Sequence, residues 1–179
     1  MSELTKNGNF MIDLLPAQED EGNSFHVDFS AVPADADNYG LKFKGEVEAS
    51  FDYAYMSGKL ILKGKAKAVT IQQCDRCLTE VDVKTNLDFN EVLYKEAGSE
   101  DEDEVYTYMG EKIYLDKMIL EGIVLGLPTK ILCKEDCKGL CPICGTDLNK
   151  TSCDCKNEEI DDSNPFSKLA GLFKDDEEV

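Results

Sequence analysis

Between residues 41 and 94, apolar side chains recur at nearly every second position: Leu41, Phe43, Val47 and Ala49, then Leu60 and Leu62, then Ala66, Ala68 and Ile71, then Val81, Val83, Leu87 and Phe89. A period of two puts such residues on one face of extended strands and leaves the polar ones on the other. Ser57-Gly58 interrupts the alternation with residues suited to a hairpin turn. The expected result is an antiparallel meander, curled or barrel-like. Upstream, Phe10-Met11-Ile12-Asp13-Leu14-Leu15 reads as a strand, and Phe25-His26-Val27-Asp28-Phe29 alternates again after a polar stretch. Residues 1–40 are therefore expected to form an N-terminal arm that packs on the sheet.

Farther along, the run Glu100-Asp101-Glu102-Asp103-Glu104 reads as a solvated loop, and short strands are expected near residues 105–108 and 112–114. The period then changes. Leu115, Met118, Ile119, Ile123 and Val124 follow helical spacing, with Asp116 near the positive end of the helix dipole and Gly126 and Pro128 at the close. One main helix covering one face of the sheet makes residues 41–132 an α+β fold. In the acidic tail, residues 157–179, Asn164 and Pro165 suit a helix cap and first turn, with Phe166, Leu169, Ala170 and Phe173 at helical spacing behind them. So short a helix is marginal by itself, so its apolar stripe is expected to dock on this protein's sheet or in a partner's groove.

Residues 133–156 break both patterns. They are rich in Cys, Gly, Lys and Asp and poor in large apolar residues, so a hydrophobic core does not explain their folding and a bound metal does. Cys141-Pro142-Ile143-Cys144-Gly145 is a zinc knuckle: two intervening residues let both sulfurs meet one ion, and the glycine permits the tight turn. A tetrahedral site needs four ligands, and Cys153 and Cys155 are the next pair downstream. Cys74-Asp75-Arg76-Cys77 is a second knuckle, for which Cys133 and Cys137 remain, and that grouping would staple the sheet to the segment after the helix. Other readings are open at this point. Cys133, Cys137, Cys141 and Cys144 could form a local site; Cys74 and Cys77 could be plain thiols; and an iron–sulfur cluster would accept the same ligands as zinc.

Composition narrows the function. Thirty-seven acidic against nineteen basic residues give a formal charge of -18, which repels phosphate backbones and anionic membranes and favours basic protein partners. The sequence offers no charged and apolar leader and no apolar run of about 18 residues, so a cytoplasmic protein with reduced cysteines is expected. Phosphate-binding, dinucleotide and nucleophile-elbow motifs are lacking, and His26, the one histidine, reads as an exposed strand residue. A zinc ion held by four cysteines has no open position for water, so the expected sites are structural and the protein is not an enzyme. A thiol oxidoreductase would need reactive, metal-free cysteines, and no βαβ pattern surrounds Cys74 and Cys77.

Three segments together, Cys74-Asp75-Arg76-Cys77-Leu78, Cys137-Lys138-Gly139-Leu140-Cys141-Pro142-Ile143-Cys144-Gly145-Thr146-Asp147-Leu148-Asn149 and Asn164-Pro165-Phe166-Ser167-Lys168-Leu169, resemble the YceD family of bacterial and plastid proteins. Asn164 departs from the aspartate common at that position of the family. The resemblance implies a role in accumulation or processing of large-subunit ribosomal RNA, with the gene commonly beside that of a large-subunit ribosomal protein. Two modes of action fit. The acidic surface could engage a basic large-subunit ribosomal protein or a ribosome precursor, or Lys130, Lys134, Lys138 and Lys150 around the zinc-binding tip could contact ribosomal RNA directly.

Overall fold

The computed structural model describes residues 9–95 and 106–155. In chain order the elements are β1 (Met11–Asp13), α1 (Leu15–Glu19), β2 (Ser24–Ala31), a 3-10 turn (Ala36–Tyr39), β3 (Val47–Met56), β4 (Lys59–Gln73), β5 (Glu80–Lys95), β6 (Thr107–Tyr108), β7 (Lys112–Tyr114) and α2 (Asp116–Gly126). The chain divides into two compact units, Met1–Cys133 and Lys134–Val179.

The first unit is built on a five-stranded sheet of order β2-β3-β4-β5-β6, beside a two-stranded sheet of β1 and β7. The main sheet is not closed: β2 and β6 are its edges, and the β5–β6 pair is parallel and two residues long. A barrel-like form, expected from the alternation, gives way to an open sheet. Alternation fixes which side chains share a face; it carries no information about whether the edge strands meet. Ser57 and Gly58, at φ 51° and 80°, close the β3–β4 hairpin.

The sheet's two faces differ as the pattern requires. Val47, Ala49, Phe51 and Tyr53 of β3, Leu60, Leu62, Ala66 and Ala68 of β4, and Phe89 and Leu93 of β5 are buried on the inner face. On the outer face Lys63 stands opposite Asp52, Lys67 opposite Glu48, and Lys65 lies 3.5 Å from Asp88. Such cross-strand pairs contribute roughly 0.2–1 kcal/mol each. Gly64 faces inward between Phe51 and Phe89, whose rings lie 5.6 Å apart. A Cβ at Gly64 would come within 2.3 Å of the Phe51 ring and of the Ser50 carbonyl oxygen, so only glycine fits beside these rings.

Helix α2 packs on β5, and its two glycines explain how closely. A Cβ on Gly122 would meet the Phe89 ring at 3.1 Å, and one on Gly126 would meet Thr85 Cγ2 at 2.8 Å. The buried face is Met118, Ile119, Leu120 and Ile123; Val124, expected in the apolar stripe, is exposed instead. Asp116 stands in the first turn of α2, as expected, and also makes contacts far along the chain. Its side chain is buried, and its carboxylate accepts backbone N–H bonds from Asn9 at 3.0 Å, Phe10 at 3.0 Å and Ala34 at 2.7 Å. Three amides converging on one anion tie the start of β1 and the segment after β2 to the first turn of α2.

At the N-terminal end the expected strand is shorter than its hydrophobic run. β1 stops at Asp13, and Pro16, which cannot donate to a ladder but suits a first helical turn, lies in the first turn of the five-residue α1. The acidic run at residues 100–104 and the amphipathic helix expected around 164–173 lie outside the described residues.

Candidate metal centre

The long β4–β5 ladder runs from Lys59 and Tyr94 to Gln73 and Glu80, and the six residues Cys74-Asp75-Arg76-Cys77-Leu78-Thr79 are the turn that joins its strands. A second six-residue turn, Cys141-Pro142-Ile143-Cys144-Gly145-Thr146, is flanked in the same way by the bridge between Leu140 and Asp147. The two share the sequence C-x-x-C-x-T and the same bonds. In the first, Leu78 N–H donates to the Cys74 carbonyl at 2.9 Å and Cys74 N–H to the Thr79 carbonyl at 2.9 Å. In the second, Gly145 N–H donates to the Cys141 carbonyl at 2.9 Å and Cys141 N–H to the Thr146 carbonyl at 2.8 Å. In each the threonine Oγ1 also lies against the second sulfur, 3.3 Å from Cys77 Sγ and 3.2 Å from Cys144 Sγ.

The sulfurs gather accordingly. Those of Cys74, Cys77, Cys133 and Cys137 all lie within 4.8 Å of one another, with Cys77 Sγ 3.5 Å from Cys133 Sγ. Those of Cys141, Cys144, Cys153 and Cys155 do the same. A tetrahedral ion with bonds of about 2.3 Å sets its sulfurs about 3.8 Å apart, so either group could hold a metal ion with little adjustment. No two of these eight cysteines are joined by a disulfide.

Around the first group, Asp75 pins the turn to the segment before Cys133. Its N–H donates to the Ile131 carbonyl at 2.8 Å, and its carboxylate accepts from Ile131 N–H at 2.6 Å. Within the second unit, Asn149 has the corresponding role: its Nδ2 donates to Cys137 Sγ at 3.4 Å and to Asp147 at 2.9 Å, while its Oδ1 accepts from Lys138 N–H at 2.9 Å. The first group is the more buried: Cys74, Cys77 and Cys137 are buried and Cys133 is exposed, whereas in the second Cys141 is buried, Cys153 half-buried, and Cys144 and Cys155 exposed.

The thiols' acidities follow from these contacts. Burial pushes Cys74 up, but the backbone amides of Arg76, Cys133 and Cys77 outweigh it and bring the thiol down to about 6. The Thr146 hydroxyl, then its amide, lower Cys144 to about 6, and the same pair on Thr79 lowers Cys77. Cys141 is lowered by the amides of Cys144 and Ile143. For Cys153 the Cys155 amide works downward but is outweighed by the Cys141 sulfur, burial and the Cys144 sulfur together, and Cys155 is pushed up to about 12, chiefly by the Cys144 sulfur. The turns thus favour thiolates, and each thiolate formed opposes the next at this spacing. A cation among the sulfurs removes that opposition, which makes the donor set one that fits a metal.

The threonines and Asn149 are the supporting residues that a reading of cysteines alone passes over. Their signal was available in the repeated C-x-x-C-x-T. His26 lies apart on β2, where its Nδ1 bonds Asp52 at 2.7 Å and its Nε2 lies 3.3 Å from Asp28. Lys130, Lys134, Lys138 and Lys150 are all exposed, but Lys134 lies 3.8 Å from Asp136 and Lys150 3.2 Å from Asp147, which offsets part of their charge. Among the described residues no helix is long and apolar enough to cross a membrane.

Comparison with known proteins bears on what such a molecule does. A family profile described as large ribosomal RNA subunit accumulation protein YceD matches residues 62–173. A Mycobacterium tuberculosis protein described as uncharacterized is 33% identical over 97 residues, covering 52% of this chain and 47% of its own length. The Zea mays large ribosomal RNA subunit accumulation protein YCED homolog 1, chloroplastic, is 27% identical over 180 residues, covering 83% of this chain and 60% of that protein. Its Arabidopsis thaliana counterpart is 29% identical over 145 residues, covering 64% and 45%. The chain therefore spans about half the length of the curated relatives it matches. No solved structure matches.

Proposed function

The chain belongs to the YceD family, and from that premise we propose that it is a non-enzymatic zinc-binding factor that supports accumulation of large-subunit ribosomal RNA by engaging a basic large-subunit ribosomal protein or a ribosome precursor. The observation that carries this reading is the pair of four-sulfur groups, each built on the same hydrogen-bonded turn. Cys74, Cys77, Cys133 and Cys137 would hold one ion and Cys141, Cys144, Cys153 and Cys155 the other. Four thiolates fill a tetrahedral shell, so the ions would fix backbone shape and leave no position for a substrate. The plant relatives' names supply the ribosomal context, and the charge of -18 favours a basic protein over naked RNA.

Crosslinked co-purification of the full chain from cells, read by mass spectrometry and RNA sequencing together, tests the reading. It predicts enrichment of basic large-subunit proteins through protein–protein crosslinks. Crosslinks mainly to ribosomal RNA from Lys130, Lys134, Lys138 or Lys150 would replace it with direct RNA binding, and enrichment of neither would remove the ribosomal role. An absorption spectrum distinguishes zinc, which is colourless, from an iron–sulfur cluster.

A further inference from the structure

Leu78 and Gly145 occupy the same position in the two turns, directly after the second cysteine. Both carry positive φ, 59° at Leu78 and 72° at Gly145. Glycine adopts this left-handed region freely, whereas a leucine Cβ crowds the neighbouring carbonyl there. Only Asp35, Ser57 and Leu78 among the described non-glycine residues have positive φ, and Leu78 is the one apolar member of the three. Burial does not compensate for the strain, because Leu78 is 57% exposed. Gly145 supplies an internal control: the same turn closes with the same bonds and no side chain at all. Strained non-glycine positions held by their surroundings tend to mark functional sites, and here the fold itself gains nothing visible from the side chain.

We infer that Leu78 is a recognition contact, an apolar knob that the β4–β5 turn presents to an apolar pocket on a basic protein. The inference rests on the function proposed above and names the surface that would carry it. Charge selects the partner. Asp75 and Glu80 flank the knob beside Arg76, while Asp82 farther along β5 is paired with Lys44, on a chain of net charge -18. A phosphate backbone would meet those carboxylates, and the turn itself carries no aromatic residue for a base to stack on, whereas a basic protein surface is attracted by the same charges. Hydrogen bonds of the turn and the pinning of Asp75 to Ile131 hold the backbone in place, so little ordering is needed when the side chain is taken up.

Leu78→Gly and Leu78→Asn in the full chain test this, since both residues accept the left-handed conformation. The probes are individual proteins salt-extracted from purified large ribosomal subunits and, separately, protein-free large-subunit RNA. The parent is expected to bind at least one such protein, and both variants to bind it about tenfold or more weakly, with metal content and melting temperature unchanged or raised. Equal binding by parent and variants would overturn the inference and leave the ribosomal reading standing. A lower melting temperature in both variants would show that Leu78 serves the fold, and a parent that prefers the RNA would assign the surface to the wrong class of partner. A parent that binds neither probe would overturn the ribosomal reading as well.

Discussion

The two compact units hold their shape by different means. Up to Cys133 the interior is a layer of Phe10, Phe51, Leu60, Leu62, Leu93, Ile119 and their neighbours, all fully buried. From residue 134 to 155 there is no aromatic residue; Leu140 and Leu148 are half-buried, Ile143 is exposed, and the buried positions are Cys137, Gly139 and Cys141. The same six-residue turn thus appears once at the end of a long hairpin with a core beneath it and once where little but sulfur lies inside. Where apolar area is sufficient, a metal adds rigidity to a turn; where it is lacking, folding depends on the metal.

The largest effect should come from attacking the second case. Cys144→Ser, or chelation of the wild type, is expected to remove amide-exchange protection throughout residues 134–155. Near-ultraviolet dichroism should stay nearly unchanged, because every aromatic residue of the described chain precedes Cys133. Collapse of that aromatic signal along with the exchange protection would show that the two units do not differ as described.

A smaller effect is expected from the converse attack on the first unit. Asp116→Ala leaves the amides of Asn9, Phe10 and Ala34 without their acceptor, a loss of about 3 kcal/mol in urea unfolding. Metal content should not change. A variant that keeps parental stability would mean that other groups replace the carboxylate, and one that loses metal would mean that the Asp116 contacts also support a cysteine group.

The smallest effect concerns the outer face of the sheet. The hydrogen bond to Asp52, opposed by desolvation and aided by Asp28, raises the pKa of His26 above its ordinary value. A raised folded-state pKa gives stability that is fully present below the unfolded value near 6.5 and is lost as pH rises through the folded one. Because this is the chain's one histidine, its proton NMR titration is unambiguous, and the midpoint should lie above 6.5 and fall as salt is added. A midpoint at or below 6.5 would remove the Asp52 contact from the account.

Much of this architecture was legible in the sequence because it rests on periodicity. The alternation of Leu60, Leu62, Ala66 and Ala68 marks the inner face of β4, and Ser57-Gly58 marks its hairpin. Closure of the sheet was not legible, since it depends on where β2 and β6 lie and not on what faces inward. The exposure of Val124 was hidden for a related reason: Gly122 and Gly126, which carry no apolar signal, set the contact face of α2. Asp116 read as a favourable charge at a helix start, but its three amide donors lie about 80 to 107 residues away in sequence, beyond any local pattern. The cysteine spacing gave the knuckles directly, while the threonines required the two turns to be set side by side.

The most direct test of the account is the metal content of the full chain purified without added metal, measured together with the alkylation rate of each cysteine in the folded protein. Two zinc ions per chain are expected, with all eight thiols protected, and chelation should expose them. One ion per chain, with Cys74 and Cys77 freely alkylated in the folded protein, would contradict the paired arrangement and leave only the site of Cys141, Cys144, Cys153 and Cys155.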